Sequence, residues 1–349
     1  MKLFKSLLVA PATLGLLAPV AATANEVTIN DFNAAEEIAV TNSRIDGLEA
    51  RFNNLEAGSF SETTTASFGV DFLVGAEDGA ASEAASFGYQ MGIGLETSFT
   101  GEDALSATID IGDGASGALA FDDTSDVLTL DGLTYTFPVG GATVMVGDST
   151  DISAVYTGAC AYSSFTDYMG NCGTGSTVGV GGNGVTAAMS YAFDSGFSLA
   201  GGVSSLTSSI MTEEGTDQYG IEAAYSADSY GVSVAYADYD SGSTAWGING
   251  YYAFDSVTLS AGVESVDDGA TAEGFFVGLS FPEVGAGSLD IGMGTSANYA
   301  DSDTEYYTYE ASYSYPINDG MTITPGIYIR EGGSSADQTG VAVKTSFSF

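Results

Sequence analysis

From Thr63 onward, apolar and polar residues alternate with a period of two. Phe68, Val70, Phe72 and Val74 interleave with Ser67, Gly69, Asp71 and Leu73. A cleaner run follows, with Phe87, Tyr89, Met91, Ile93, Leu95 and Phe99 set against Gly88, Gln90, Gly92, Gly94 and Glu96. Later runs place Val185, Ala187, Met189, Tyr191 and Phe193 on one face, then Tyr219, Ile221, Ala223 and Tyr225, then Leu289, Ile291 and Met293. The last comprises Val341, Val343, Thr345, Phe347 and Phe349. Neighbouring residues of a strand point to opposite faces, so each run predicts a strand with one apolar and one wet face. About ten residues per run suits a tilted strand crossing a bilayer core. A soluble sandwich alternates in the same way, so the period alone leaves both open.

The connections separate them. Short turns are expected at Thr100–Ala104, Gly140–Gly141, Asp194–Gly196, Ala227–Ser229, Asp255–Ser256, Pro282–Gly287 and Pro316–Gly320. Mostly longer, acidic loops lie between them, at Gly75–Ala85, Gly112–Gly132, Asp148–Gly184, Thr207–Thr216, Tyr239–Gly242, Asp267–Ala270, Ala300–Asp303 and Glu331–Gln338. Short turns at one end and longer loops at the other mark an outer-membrane barrel. The fold class is therefore all-β, a transmembrane antiparallel barrel of about sixteen strands over residues 61–349. Fourteen and eighteen strands stay open, because residues 112–147 divide in more than one way. An even count puts both termini on the periplasmic side. Aromatic pairs near strand ends (Tyr251 and Tyr252, Phe275 and Phe276, Tyr306, Tyr307 and Tyr309) are expected to form interfacial girdles.

Composition agrees with a lipid-facing surface. The chain is 44% hydrophobic and only 15% charged, yet past the N-terminus no stretch reaches the ~18 apolar residues of a spanning helix. Apolar character spread so evenly must sit on one face of many strands. Net charge is −40, with 46 acidic residues and 6 basic ones. Nucleic acid is excluded as a partner, since phosphate requires cations opposite it. The acidity reads either as an exterior suited to salty medium or as a pore that prefers cations.

Residues 1–60 follow other rules. Lys2 and Lys5, an apolar stretch from Leu7 to Val20, and Ala22-Thr23-Ala24 form a secretory signal, residues 1–24, with cleavage before Asn25. In residues 25–60, Ile38, Thr41, Ile45, Leu48, Phe52 and Leu55 fall at alternating spacings of three and four, the a/d seam of a short coiled coil. Asn42 or Ser43 supplies a cap and Gly58 a stop. So few heptads are unstable alone, so this periplasmic helix either packs on the barrel or associates with copies of itself. In the second case Ile38, Ile45, Leu48, Phe52 and Leu55 form an oligomerisation helix, which suits a homo-trimer.

Catalytic chemistry has little to work with. The chain has no histidine, which removes the Ser-His-Asp triad, the Cys-His pair and the usual zinc sites. Asp122-Asp123, Glu213-Glu214 and Asp267-Asp268 read as solvated loop acids. Gly179-Val180-Gly181-Gly182-Asn183-Gly184 lacks the Gly-Lys-Ser/Thr of a phosphate loop. No enzyme activity, cofactor or metal site is indicated. Cys160 and Cys172 sit twelve positions apart in the longest loop, and in an exported chain they predict a disulfide. Val155, Tyr156, Tyr162, Phe165, Tyr168 and Met169 make that loop too apolar to wave freely in water, which favours its folding into the barrel over an exposed, protease-resistant loop. Asp148, Asp151 and Asp167 would then be the constriction carboxylates. Past Phe52 the basic residues are Arg330 and Lys344, so no arginine ladder can oppose them, and the pore is expected to prefer cations.

Several segments resemble cyanobacterial outer-membrane porins, those of marine picocyanobacteria in particular. They are Met1-Lys2-Leu3-Phe4 with Leu8-Val9-Ala10-Pro11-Ala12, Ser43-Arg44-Ile45-Asp46-Gly47-Leu48-Glu49-Ala50-Arg51, Ser59-Phe60-Ser61-Glu62-Thr63-Thr64-Thr65 and Tyr135-Thr136-Phe137-Pro138-Val139-Gly140. The resemblance implies a passive porin of the carbohydrate-selective or iron-uptake type. Such porins usually carry a surface-layer-homology domain, and here only Asn25 to Val40 occupies its place. The final Phe347-Ser348-Phe349 is similar to the signal read by the barrel assembly machinery. The expected partners are that machinery, outer-membrane lipid, small hydrophilic solutes and cations. A surface-exposed structural or adhesive barrel with a closed lumen is the alternative.

Overall fold

The computed structural model describes residues 64–79, 84–114, 124–166, 172–178, 180, 182, 184–213, 215–269, 271–295, 306–332 and 336–349. The expected signal, the helix of Ile38, Ile45, Leu48, Phe52 and Leu55, and Asp167 lie outside the described residues.

Sixteen antiparallel strands close into one barrel. They are β1 (Thr64–Asp78), β2 (Ser86–Thr97), β3 (Ala104–Asp113), β4 (Thr129–Val139), β5 (Ala142–Thr150), β6 (Gly184–Ala192), β7 (Phe197–Ser205) and β8 (Asp217–Ser226). The second half comprises β9 (Tyr230–Tyr239), β10 (Thr244–Ala253), β11 (Thr258–Asp267), β12 (Thr271–Val284), β13 (Gly287–Thr295), β14 (Tyr307–Asn318), β15 (Met321–Arg330) and β16 (Gln338–Ser348). Each strand pairs with its neighbour in sequence, and β1 pairs with β16. At that seam Phe68 and Phe349 exchange backbone hydrogen bonds of 2.9 and 3.0 Å, and their rings stack with centroids 5.7 Å apart. A sheet closed in this way leaves no edge, which a lipid-exposed sheet requires.

The polarity of the barrel is inverted relative to a soluble one. On β9, Val232, Val234 and Tyr236 point outward and stand exposed, while Ser233, Ala235 and Ala237 point inward and are buried. Elsewhere the outward positions hold Phe72, Phe87, Ile221, Trp246, Ile291 and Ile327, and the buried inner wall holds Thr186, Ser204, Glu222, Asn249, Glu264, Asp290 and Glu310. Side chains that avoid water thus cover the outside, and hydrogen-bonding ones line the inside.

Along the end with short connections, outward aromatics form a chain. Tyr135 stacks with Phe137 and Tyr191 meets Phe193, and a longer run links Phe197, Tyr225, Tyr230, Tyr252 and Phe254, with neighbouring rings of each group centred 4.7–6.4 Å apart. Two expected girdle members belong elsewhere. Phe276 is 1% exposed and lies on the inner wall, and Tyr251 turns inward over Gly231. Adjacent strand residues face opposite ways, so only one of each aromatic pair can reach lipid.

One turn is built around a carboxylate. Asp103, just before β3, accepts bonds from the backbone N–H groups of Phe99 and Thr100 and from the hydroxyls of Ser98, Thr100 and Tyr135, all at 2.7–2.9 Å. Burial alone would raise its pKa, but these donors together hold it well below the ordinary carboxylate range.

Candidate functional site

The described residues of the β5–β6 connection (151–166, 172–178, 180 and 182) fold into the barrel. Its entry is a short 3₁₀ turn, Ile152–Val155. Asp151 caps that turn, accepting from the Ser153 N–H at 2.7 Å and from the Ser153 hydroxyl. Ile152, fully buried, packs with Met145, Val180, Ala188, Ala237 and Ala245, and Val155 and Tyr156 join this cluster. The Ile152 N–H donates to the Val180 carbonyl at 3.0 Å, which brings the two limbs of the loop together. Of the apolar residues that made a free loop implausible, Val155, Tyr156, Tyr162 and Phe165 pack against the wall, and Tyr168 and Met169 lie outside the described residues.

Three wall glutamates hold the rest. Glu222 on β8 accepts from the backbone N–H groups of Thr157 (2.7 Å) and Gly158 (2.9 Å). Glu310 on β14 accepts from the N–H groups of Phe165 and Thr166, both at 2.8 Å, and from the hydroxyls of Thr166 (2.5 Å) and Tyr162 (2.9 Å). Glu264 on β11 accepts from the N–H groups of Ser176 and Thr177 at 3.0 Å and from the Thr177 hydroxyl at 3.1 Å. In each case two consecutive peptide N–H groups converge on one buried carboxylate, three strands from the next anchor. Hydrogen bonds to an ionised acceptor are the strong kind, and here they also satisfy loop donors that the protein would otherwise bury unpaired. Burial, and then the charge of Glu310, keeps the Tyr162 hydroxyl protonated far above its usual range, so it stays a donor.

Cys160 and Cys172 are joined in a disulfide with Cα atoms 5.7 Å apart, as the sequence predicts. Cys172 is buried with Phe276, and Tyr162 packs on both, its ring centred 4.9 Å from that of Phe276. Here the wall must be thin. A β-carbon at Gly262 would collide with the Cys172 carbonyl oxygen, and one at Gly326 with the ring of Phe165. Further bonds complete the contact: the Thr157 and Ser198 hydroxyls (2.7 Å), Ala161 N–H to Ser260 (3.2 Å), Asn249 to Thr174 (3.1 Å) and the Tyr239 hydroxyl to the Ser176 carbonyl (2.5 Å).

The loop thereby lines the inner wall from β7 to β15. The facing arc comprises β16 and β1–β4. By register its inner positions include Lys344, Asp71, Gln90, Glu96 and Asp110. Among the described residues, inward acids, with Glu77 and Asp290 added, outnumber the inward bases Arg330 and Lys344.

Two expected constriction carboxylates stand differently. Asp148 pairs in register with Leu133, beside Val146 and Tyr135, and so lies on the outward face of β5. Its place at the start of the expected loop suggested a pore residue, but it belongs to β5, where strand parity decides its direction. Asp151 is engaged as a turn cap. The acids that organise the loop are instead Glu222, Glu264 and Glu310, and only one sequence cue marks them: each is the lone carboxylate on the wet face of its strand, among mostly small residues.

A closed sixteen-stranded barrel, wet inside, with one long loop folded against the inner wall, fixes the comparison. The fold is that of the bacterial porins. The OprB structure from Pseudomonas putida superposes with a TM-score of 0.66 at 11% identity, covering 82% of this chain and 94% of that one. Variants of the Rh. blastica porin give 0.56 at 17% identity, covering 82% of this chain and all of theirs. At such identities the likeness to these porins is one of fold. No protein-family description and no curated protein matches the sequence.

Proposed function

We propose that the protein is an outer-membrane diffusion channel for small hydrophilic solutes and ions, with a preference for cations. The observation that carries this reading is the inverted barrel whose long loop is anchored to one side of the lumen. It leaves the hydrophilic arc of β16 and β1–β4 as the opposite wall of a passage. The sign of selectivity follows from charge: between Arg51 and Arg330 the chain has no lysine or arginine, so the inner wall cannot build a positive ladder. Export through the signal at residues 1–24, periplasmic termini, assembly through the Phe347–Phe349 signal and a trimer joined through the helix in residues 25–60 belong to the same proposal. So does carbohydrate or iron cargo, which rests on the sequence resemblance alone. Single-channel recording of the refolded protein tests the reading: discrete open steps support it, and a folded barrel without conductance favours the closed structural alternative.

A further inference from the structure

Apart from the pore, one buried carboxylate among the described residues has an oxygen without a partner. Asp217 opens β8, is 5% exposed, and its Oδ1 is buried without a hydrogen-bond donor. Leaving a charge so placed costs several kcal/mol unless something neutralises it. Among the described residues the basic side chains are Arg330 on β15 and Lys344 on β16, and neither strand pairs with β8.

The surroundings of Asp217 are rich in oxygen. Ser205, wholly buried, pairs with Asp217 across the β7–β8 hairpin, so their side chains share a face. Around the Ser205 hydroxyl lie the Thr207 hydroxyl at 3.2 Å and the carbonyls of Ser209 and Thr216, both at 3.3 Å. The Ser205 and Thr207 hydroxyls can each donate to one carbonyl and accept from the Thr207 and Ser209 N–H groups at 3.4 Å, so Asp217 Oδ1 is the side-chain oxygen here left without a donor. Gly215 closes the pocket. A β-carbon there would stand 3.0 Å from Asp217 Oδ1 and closer still to the Ser209 carbonyl, which places both oxygens beside the same point. Ser205 and Asp217 share the outward parity of Val203 and Tyr219, so the cluster sits on the outer rim and not in the lumen.

We propose that a calcium ion binds where β7 meets β8, beneath the described residues of their connection (206–213, 215 and 216). The ligands are the Asp217 carboxylate, the Ser205 and Thr207 hydroxyls and the carbonyls of Ser209 and Thr216, with water completing the shell. An all-oxygen set of one charge and several neutral dipoles is the chemistry of a hard, flexible cation such as calcium, in the weak range of about 0.1–1 mM. Magnesium fits poorly, since it demands a tighter octahedron and gives up its water reluctantly.

Hydrogen exchange of the full-length, detergent-folded protein tests this, with calcium chloride titrated against magnesium chloride at constant ionic strength. At about ten times the dissociation constant, calcium should slow exchange across residues 206–216 by roughly tenfold, and magnesium should do so far less. Asp217→Asn and Gly215→Ala should each abolish the calcium effect while the barrel strands keep their protection. Should Asp217→Asn fail to fold, Ser205→Ala keeps the charge and should shift the midpoint to higher calcium. Unprotected amides in folded wild-type protein, equal protection by magnesium, or protection that survives Asp217→Asn would each overturn the proposal.

Discussion

Glu310→Gln is the sharpest cut into the loop anchor. The substitution keeps size and leaves one side-chain oxygen, which can still receive the Phe165 N–H and the Tyr162 hydroxyl. The new amide nitrogen then faces the Thr166 N–H and hydroxyl, two groups that had donated to the carboxylate oxygen at 2.8 and 2.5 Å. A buried N–H left unpaired costs about 1–3 kcal/mol, and the surviving bonds weaken with the lost charge. Together this amounts to about 3 kcal/mol of anchoring, or roughly a hundredfold in the local equilibrium between docked and undocked loop. The sixteen strand ladders do not depend on this contact, so the barrel itself should stay intact, seen as an unchanged heat-modifiable band in gel electrophoresis. Single-channel records should show added open-state noise and substates, and liposome swelling should admit larger sugars. Conductance, noise and size cut-off identical to wild type, in folded Glu310→Gln protein, would refute the anchoring role.

Four further outcomes follow from the same geometry. Reducing the disulfide, or replacing Cys160 and Cys172 by serine, should remove about 2–3 kcal/mol of loop constraint, read as faster proteolysis between them with the barrel intact. Gly262→Ala should disturb the loop by about 1–3 kcal/mol, because the added methyl meets a disulfide-tied carbonyl and not the tip of a flexible side chain; conductance noise reports it. Asp103 has a depressed pKa in the folded state, so its contribution is complete above the unfolded carboxylate value and drains as pH falls below ~4. Urea unfolding should therefore lose stability between pH 5 and 2 less steeply in Asp103→Asn than in wild type. Lys344→Glu should raise cation preference in a reversal-potential measurement, since Lys344 is one of two inward bases.

The barrel was legible because its strands obey a two-residue period, and the seven short turns fall where Gly, Asp and Ser interrupt it; Pro282 and Pro316, expected to open turns, lie instead inside β12 and β14 at shifts of register. Residues 112–147 resisted division for a physical reason. Bulges at Thr108/Ile109 and Gly147/Thr150 shift register at both edges of the β4–β5 hairpin, and a shift of one residue exchanges faces. The inward loop was legible from its apolar residues and its cysteines. Its anchors were not, since a glutamate on a wet strand face looks like any solvated acid until a distant backbone donates to it. Asp148 misled because its role depends on parity at a strand end, which the alternation there is too irregular to fix.

Reversal potential across a bilayer holding the purified full-length protein in a potassium chloride gradient tests the central claim most directly. The account predicts discrete channel openings and a reversal potential of the sign set by potassium, diminishing as salt screens the acidic wall. Openings with chloride preference, or no openings from protein that is demonstrably folded, would contradict it.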